Sequence, residues 1–146
     1  MVSDIISRAK KEGRACLTEA ESKLLLEDIG IATNKTELAT SKDEAVSISG
    51  EIGYPVVLKV VSRDVLHKSD VGGVKLALGN EDDVATAYDE IMASVKRRAP
   101  QAVIDGVSVQ PMARPGVEVI IGMFKDSQFG PVVMFGIGSE LVEVYK

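Results

Sequence analysis

Pro55-Val56-Val57-Leu58-Lys59-Val60-Val61 and Val74-Lys75-Leu76-Ala77-Leu78 flank a polar stretch from Ser62 to Gly73, and the reading of these three pieces decides the fold. The first run is β-branched with a single charge, which predicts a buried strand. The second alternates apolar and polar residues, which predicts a half-buried strand. Asp70-Val71-Gly72-Gly73 then forms the glycine-containing tip of a long hairpin. Upstream, Ser41-Lys42-Asp43-Glu44 has the spacing of a capping box and opens a helix that ends at Gly53. Before it, Thr36 to Ala39 is extended. Thr18-Glu19-Ala20-Glu21 is another capping box, whose helix carries Leu24, Leu25 and Ile29 and stops at Gly30. Ile5, Ile6 and Ala9 predict a short first helix. Downstream, Asn80 caps a long helix with Val84, Ala87, Tyr88, Ile91 and Val95 at helical spacing, ending at Arg97-Arg98-Ala99-Pro100.

Beyond Pro100 the texture changes to strands, Val107 to Gln110, Val117 to Met123, Val132 to Phe135 and Leu141 onward, separated by Gly, Pro and Asp-Ser turns. The expected architecture is α/β (α+β), two lobes with mixed sheets and flanking helices. Residues 1–100 form the first lobe and 101–146 begin the second, with the boundary near 99–106. A strand pattern still runs at Lys146, so the second lobe is expected to be incomplete.

The chain has 146 residues, 45% of them apolar and 27% charged, enough for a packed core. Its net charge of −5 has the wrong sign for a general binder of nucleic acid. Apolar runs are too short for a membrane span, and the single cysteine, Cys16, points to a reducing compartment, the cytoplasm by default. With one histidine, His67, any imidazole chemistry is confined to that position.

Lys59 is the anomaly in its strand. An ammonium in such a run needs an internal carboxylate, a bound phosphate, or an edge position with its amine in water. The adjacent glycines 72 and 73 would leave backbone N–H groups open to an anion, although a glycine pair is more commonly only a turn. Neither a Walker A loop nor G-x-G-x-x-G is present. From the residues alone, Glu118 is the solvent face of a strand, Gln110 a strand-end polar group, Met112 core filler and His67 a solvated loop residue.

Pro55-Val56-Val57-Leu58-Lys59, the run Leu66-His67-Lys68-Ser69-Asp70-Val71-Gly72-Gly73-Val74-Lys75-Leu76, Val109-Gln110-Pro111-Met112, Gly116-Val117-Glu118-Val119-Ile120-Ile121-Gly122 and Phe129-Gly130-Pro131-Val132-Val133-Met134-Phe135-Gly136 resemble the ATP-grasp domain of ADP-forming acyl-CoA synthetases, in order and over essentially the whole chain. Within that group the chain is similar to the stand-alone β subunits of ADP-forming acetyl-CoA synthetases.

The resemblance implies that ATP or ADP lies between the lobes. Lys59 would meet the α- or β-phosphate, and Asp70, Val71, Gly72 and Gly73 would close over the phosphates as a lid. Gln110, with the backbone around Met112 and Ala113, would recognise the adenine edge, and Glu118 would accept from the ribose hydroxyls. His67 would carry a phosphoryl group between a partner histidine and ADP, with Lys68 beside it to hold the phosphoryl oxygens and Asp70 to orient the ring. Mg²⁺ is implied, with its ligands expected beyond Lys146.

A CoA-binding α subunit or domain is implied as partner in a hetero-oligomer, supplying acyl-CoA and phosphate chemistry. Three rivals share parts of the pattern. They are a succinyl-CoA synthetase β relative, the corresponding module of a fused protein acetyltransferase, and a non-catalytic adenine-nucleotide scaffold.

Overall fold

The computed structural model describes residues 2–65 and 67–138. Ten elements follow in order: α1 (Val2–Lys11), α2 (Glu19–Asp28), β1 (Glu37–Ala39), α3 (Lys42–Ile52), β2 (Val56–Ser62), β3 (Val74–Leu78), α4 (Glu81–Arg98), β4 (Ile104–Pro111), β5 (Val119–Asp126) and β6 (Gly130–Ile137). They separate into two compact units, residues 1–113 and 114–146.

In the first unit β2 and β3 form the expected antiparallel hairpin, and the four-stranded sheet has the order β1-β4-β2-β3. The boundary expected near 99–106 differs from this division. β4, assigned by pattern to the second lobe, is inserted between β1 and β2, with Leu58 opposite Val109 and Val60 opposite Val107. Pro100 ends a helix without ending a lobe. The strand after it returns to the first sheet because Val107 and Val109 complete the apolar face that β2 begins.

That face sets the energetics. Alternation along β2 sends Val56, Leu58 and Val60 to one side, where they join Val107, Val109, Ala45, Ile48, Val84, Tyr88, Ile91 and Val95 in one buried cluster under α3 and α4. Each fully buried aliphatic side chain contributes about 1.5–3 kcal/mol. Local signals cap the helices. The Thr18 hydroxyl accepts from the Glu21 N–H while the Glu21 carboxylate accepts from the Thr18 N–H, a complete capping box. Ser41 caps α3 from the Glu44 N–H, but Glu44 reaches back to the N–H and hydroxyl of Thr40, so that box is displaced by one residue. Asn80 caps α4, whose last turn carries Lys96, Arg97 and Arg98, where its dipole favours cations.

The second unit's described part is a two-stranded antiparallel ribbon, β5 with β6. Asp126 makes its turn by accepting from the N–H groups of Gln128 and Phe129. Cross-strand partners Ile121 and Phe135, and Met123 and Val133, share one face and are exposed. The strand expected from Leu141 onward lies outside the described residues.

Candidate functional site

The second face of the four-stranded sheet carries Lys59 and Gln110, two of the residues expected at a nucleotide site. Because Leu58 and Val60 point into the helix-covered core, Lys59 between them emerges on the opposite side. β4 runs antiparallel to β2, with Ser108 opposite Lys59 and Gln110 opposite Val57, so Gln110 lies diagonally along that same face. Lys59 keeps its side chain about 29% exposed, whereas Gln110 is only 4% exposed.

A carboxylate closes this arrangement. Glu19, the first residue of α2, accepts from Gln110 Nε2 at 2.6 Å on Oε1 and from Lys68 Nζ at 3.0 Å on Oε2. Lys59 Nζ and Lys23 Nζ each stand 3.4 Å from Glu19 Oε1. Burial alone would raise the Glu19 carboxyl pKa. Hydrogen bonds from Gln110 and Lys68, with the charges of Lys59 and Lys68, outweigh it and hold the group down to about 2. Three ammonium groups therefore surround one ionised carboxylate, and the cluster retains a net positive charge suited to an anionic ligand. Beneath it, Arg14 bridges both oxygens of Glu21 at 2.8 Å and anchors the start of α2.

The hairpin tip differs from an open phosphate cradle. The Gly72 N–H donates to Ser69 O and the Gly73 N–H to Lys68 O, so both glycine donors are used inside the turn. The missing side chains are explained by packing. A Cβ on Gly73 would stand 2.4 Å from Val60 Cγ1, and one on Gly72, at φ +67°, would stand 2.5 Å from Ser94 Oγ. α4 holds the tip from outside: the Ser94 hydroxyl donates to Val71 O at 2.9 Å and Arg98 to Asp70 O at 2.7 Å. A groove of about 400 Å³ runs beside it, lined by Gly72, Lys75, Glu90, Ser94, Arg97 and Arg98, and touches neither Lys59 nor Gln110.

His67 is exposed at the entrance to the tip, directly before the anchored Lys68. Among the described residues no hydrogen bond joins its ring to Asp70, which is also exposed. Met112 and Ala113 are exposed just past β4, and the Met112 N–H donates to Pro55 O at 2.9 Å, so that backbone donor is already engaged. Glu118 belongs to the second unit, exposed, with its carbonyl accepting from the Gly138 N–H. The structure thus gathers Lys59, Lys68 and Gln110, and it does not bring His67 or Asp70 into that cluster.

In the sequence Glu19 stands only as part of the Thr18–Glu21 cap. Its spacing from Lys23 is a local signal, but its distance of 91 residues from Gln110 leaves none. Among the described residues no group of three or more His, Cys, Asp or Glu side chains could hold a metal ion, so the implied Mg²⁺ has no assembled ligand set there. Cys16 is free and exposed, and no described helix is long and apolar enough to cross a membrane.

The first unit thus sets a charged lysine on an inner strand of its antiparallel sheet, followed by a glycine-tipped hairpin. The profile of the ATP-grasp domain matches residues 8–146, and the chain belongs to the ATP-grasp family. Its relatives narrow the class. The β subunit of acetate–CoA ligase (ADP-forming) I from Pyrococcus furiosus is 46% identical over 98% of this chain and 61% of its own length.

The dinucleotide-forming acetyl-coenzyme A synthetase 1 of Ca. Korarchaeum cryptofilum, solved with coenzyme A and Ca-AMPCP, matches with a TM-score of 0.93 and 51% identity over 99% of this chain and 63% of that one. A second structure of that enzyme, with coenzyme A, Mg-AMPPCP and its phosphohistidine segment pointing towards the nucleotide-binding site, matches with a TM-score of 0.79 and 45% identity over 99% and 61%. The chain therefore spans somewhat under two thirds of these relatives.

Proposed function

We propose that this chain is the nucleotide-binding part of an ADP-forming acetate/acyl-CoA ligase. The reaction is acyl-CoA + ADP + phosphate ⇌ carboxylate + CoA + ATP. The observation that carries the reading is the convergence of Lys59, Lys68 and Gln110 on one cationic cluster, in a chain about half identical to such ligases.

In this reading a CoA-binding α subunit or domain makes the acyl phosphate, releasing CoA as phosphate attacks the thioester carbonyl. A histidine of that partner then takes the phosphoryl group and releases the carboxylate. The phosphoryl passes to the imidazole of His67 and from there to a β-phosphate oxygen of ADP, breaking the P–N bond and forming the P–O bond of ATP. The exposure of His67 beside an anchored lysine suits a carrier that must meet two partners.

Lys59 would hold an α- or β-phosphate oxygen by a charge-assisted hydrogen bond, and Lys68 the phosphoryl oxygens. Gln110 would meet the adenine edge, with the chain at Met112 and Ala113 beside it, and Glu118 the ribose. Asp70, Val71, Gly72 and Gly73 would act as a lid through their position, since the two glycine donors are engaged internally. Mg²⁺ would neutralise phosphate charge in the complete enzyme. A single free cysteine fits a cytoplasmic setting.

The test combines the complete polypeptide with its CoA-binding partner and measures ATP formation from acetyl-CoA, ADP and phosphate. Activity that disappears in Lys59→Met supports the reading. Nucleotide-independent behaviour, with no ADP binding by calorimetry, rejects it.

A further inference from the structure

Glu19 is the only acidic side chain that the described contacts place against Lys59, Lys68 and Gln110 together. These three side chains come from β2, the loop leading into the tip and β4; backbone pairing sets where their strands lie, and Glu19 is the common acceptor that the described contacts place among their polar ends. Two ammonium groups held close repel, and a side-chain amide 4% exposed needs a fixed partner. An ionised carboxylate has only acceptor sites, two on each oxygen, so it can take Gln110 and Lys59 on one oxygen and Lys68 on the other. Its place at the first position of α2 adds the N-terminal backbone dipole to its stabilisation, and the capping box with Arg14 on Glu21 fixes that helix start.

An alternative role follows from the same contacts. A carboxylate among cations could occupy the phosphate position and have to be displaced by nucleotide. The geometry favours bridging: an ammonium has three donors and an amide two, so each of these groups keeps a donor after binding Glu19.

From this we infer that Glu19 is a positioning residue for the nucleotide end. It holds the strand lysine, the lysine next to His67 and the adenine-edge glutamine in one geometry, and so couples the carrier loop to the phosphate site. The inference rests on the proposed function for its kinetic consequence, and on the contacts alone for its structural one.

The experiment has two arms. In the complete enzyme with its partner, Glu19→Gln is expected to lower kcat for ATP formation by about 10- to 100-fold, on the scale of a misplaced reacting group. KM for ADP should rise rather than fall, because Lys59 and Gln110 lose their common acceptor, and Glu19→Asp should recover part of the rate. An unchanged kcat overturns the inference, and an unchanged kcat with a KM for ADP lowered tenfold identifies Glu19 as a displaceable plug. In the second arm, hydrogen exchange of the Gly72 and Gly73 amides is followed in the protein without nucleotide. Exchange at least tenfold faster in Glu19→Gln supports the anchor, and identical exchange overturns it. If the wild-type enzyme makes no ATP, the functional reading fails while the exchange arm still decides the role of Glu19.

Discussion

Gly73→Ala separates two explanations of the glycine pair, since a glycine required for packing and one required for phosphate approach fail in different assays. The added Cβ would stand 2.4 Å from Val60 Cγ1 and 3.0 Å from Lys68 O. Val60 is fully buried in the sheet core, so it has no room to turn aside. Overpacking of this kind costs about 1–3 kcal/mol. If the tip lifts to relieve it, the bonds from Gly73 N–H to Lys68 O and from Val60 N–H to Gly73 O, both 2.7 Å, are lost as well. Each is worth about 1 kcal/mol net, which brings the expected loss to about 3–5 kcal/mol.

Gly72→Ala is milder, about 1–2 kcal/mol, because its obstacle is the Ser94 hydroxyl, which can rotate. Urea denaturation of the wild type and both variants measures the difference directly. A Gly73→Ala protein within about 0.5 kcal/mol of wild type, yet binding ADP more than tenfold more weakly, would refute the packing argument and restore the cradle.

Further outcomes follow from the same contacts. Lys59→Met should fold normally and weaken ADP binding by roughly 1.5–3 kcal/mol, the scale of a hydrogen bond to a charged group, as read by calorimetry. Because Glu19 is held at about 2 against an ordinary 4.5, the native state binds fewer protons than the unfolded chain between those values. Its contribution is therefore complete above about pH 4.5 and is lost as the pH falls towards 2. With solvent screening it amounts to about 1–2 kcal/mol, and the acid limb of a stability profile should flatten in Glu19→Gln. Ser94→Ala should loosen the tip by removing the bond to Val71 O, seen as increased protease sensitivity near residues 67–73 with the melting temperature lowered by only a few degrees.

The parts that local patterns govern were legible in the sequence. The β-branched run around Lys59, the alternating strand after Gly73 and the caps at Thr18 and Asn80 each depend on residues within a few positions, and each forms as expected. The lobe boundary was not, because Pro100 reports only that a helix must stop. The placement of β4 is decided by pairing with β1 and β2 across long sequence separations. Glu19 was hidden for the same reason, since its partners Lys59, Lys68 and Gln110 lie 40 to 91 residues away. The glycine pair was legible as a close approach. The sequence could not tell whether the approaching group was a phosphate or the side chains of Val60 and Ser94.

In the proposed function, phosphoryl reaches nucleotide through His67 of this chain. Incubating the complete polypeptide with ATP labelled at its γ-phosphate, together with Mg²⁺, should transfer the label to protein in an acid-labile, base-stable form. Peptide mapping should place it on His67, Lys59→Met should reduce it, and His67→Ala should abolish it while leaving ADP binding intact. A His67→Ala enzyme that turns over at the wild-type rate with its partner, or label on another residue, would contradict the account.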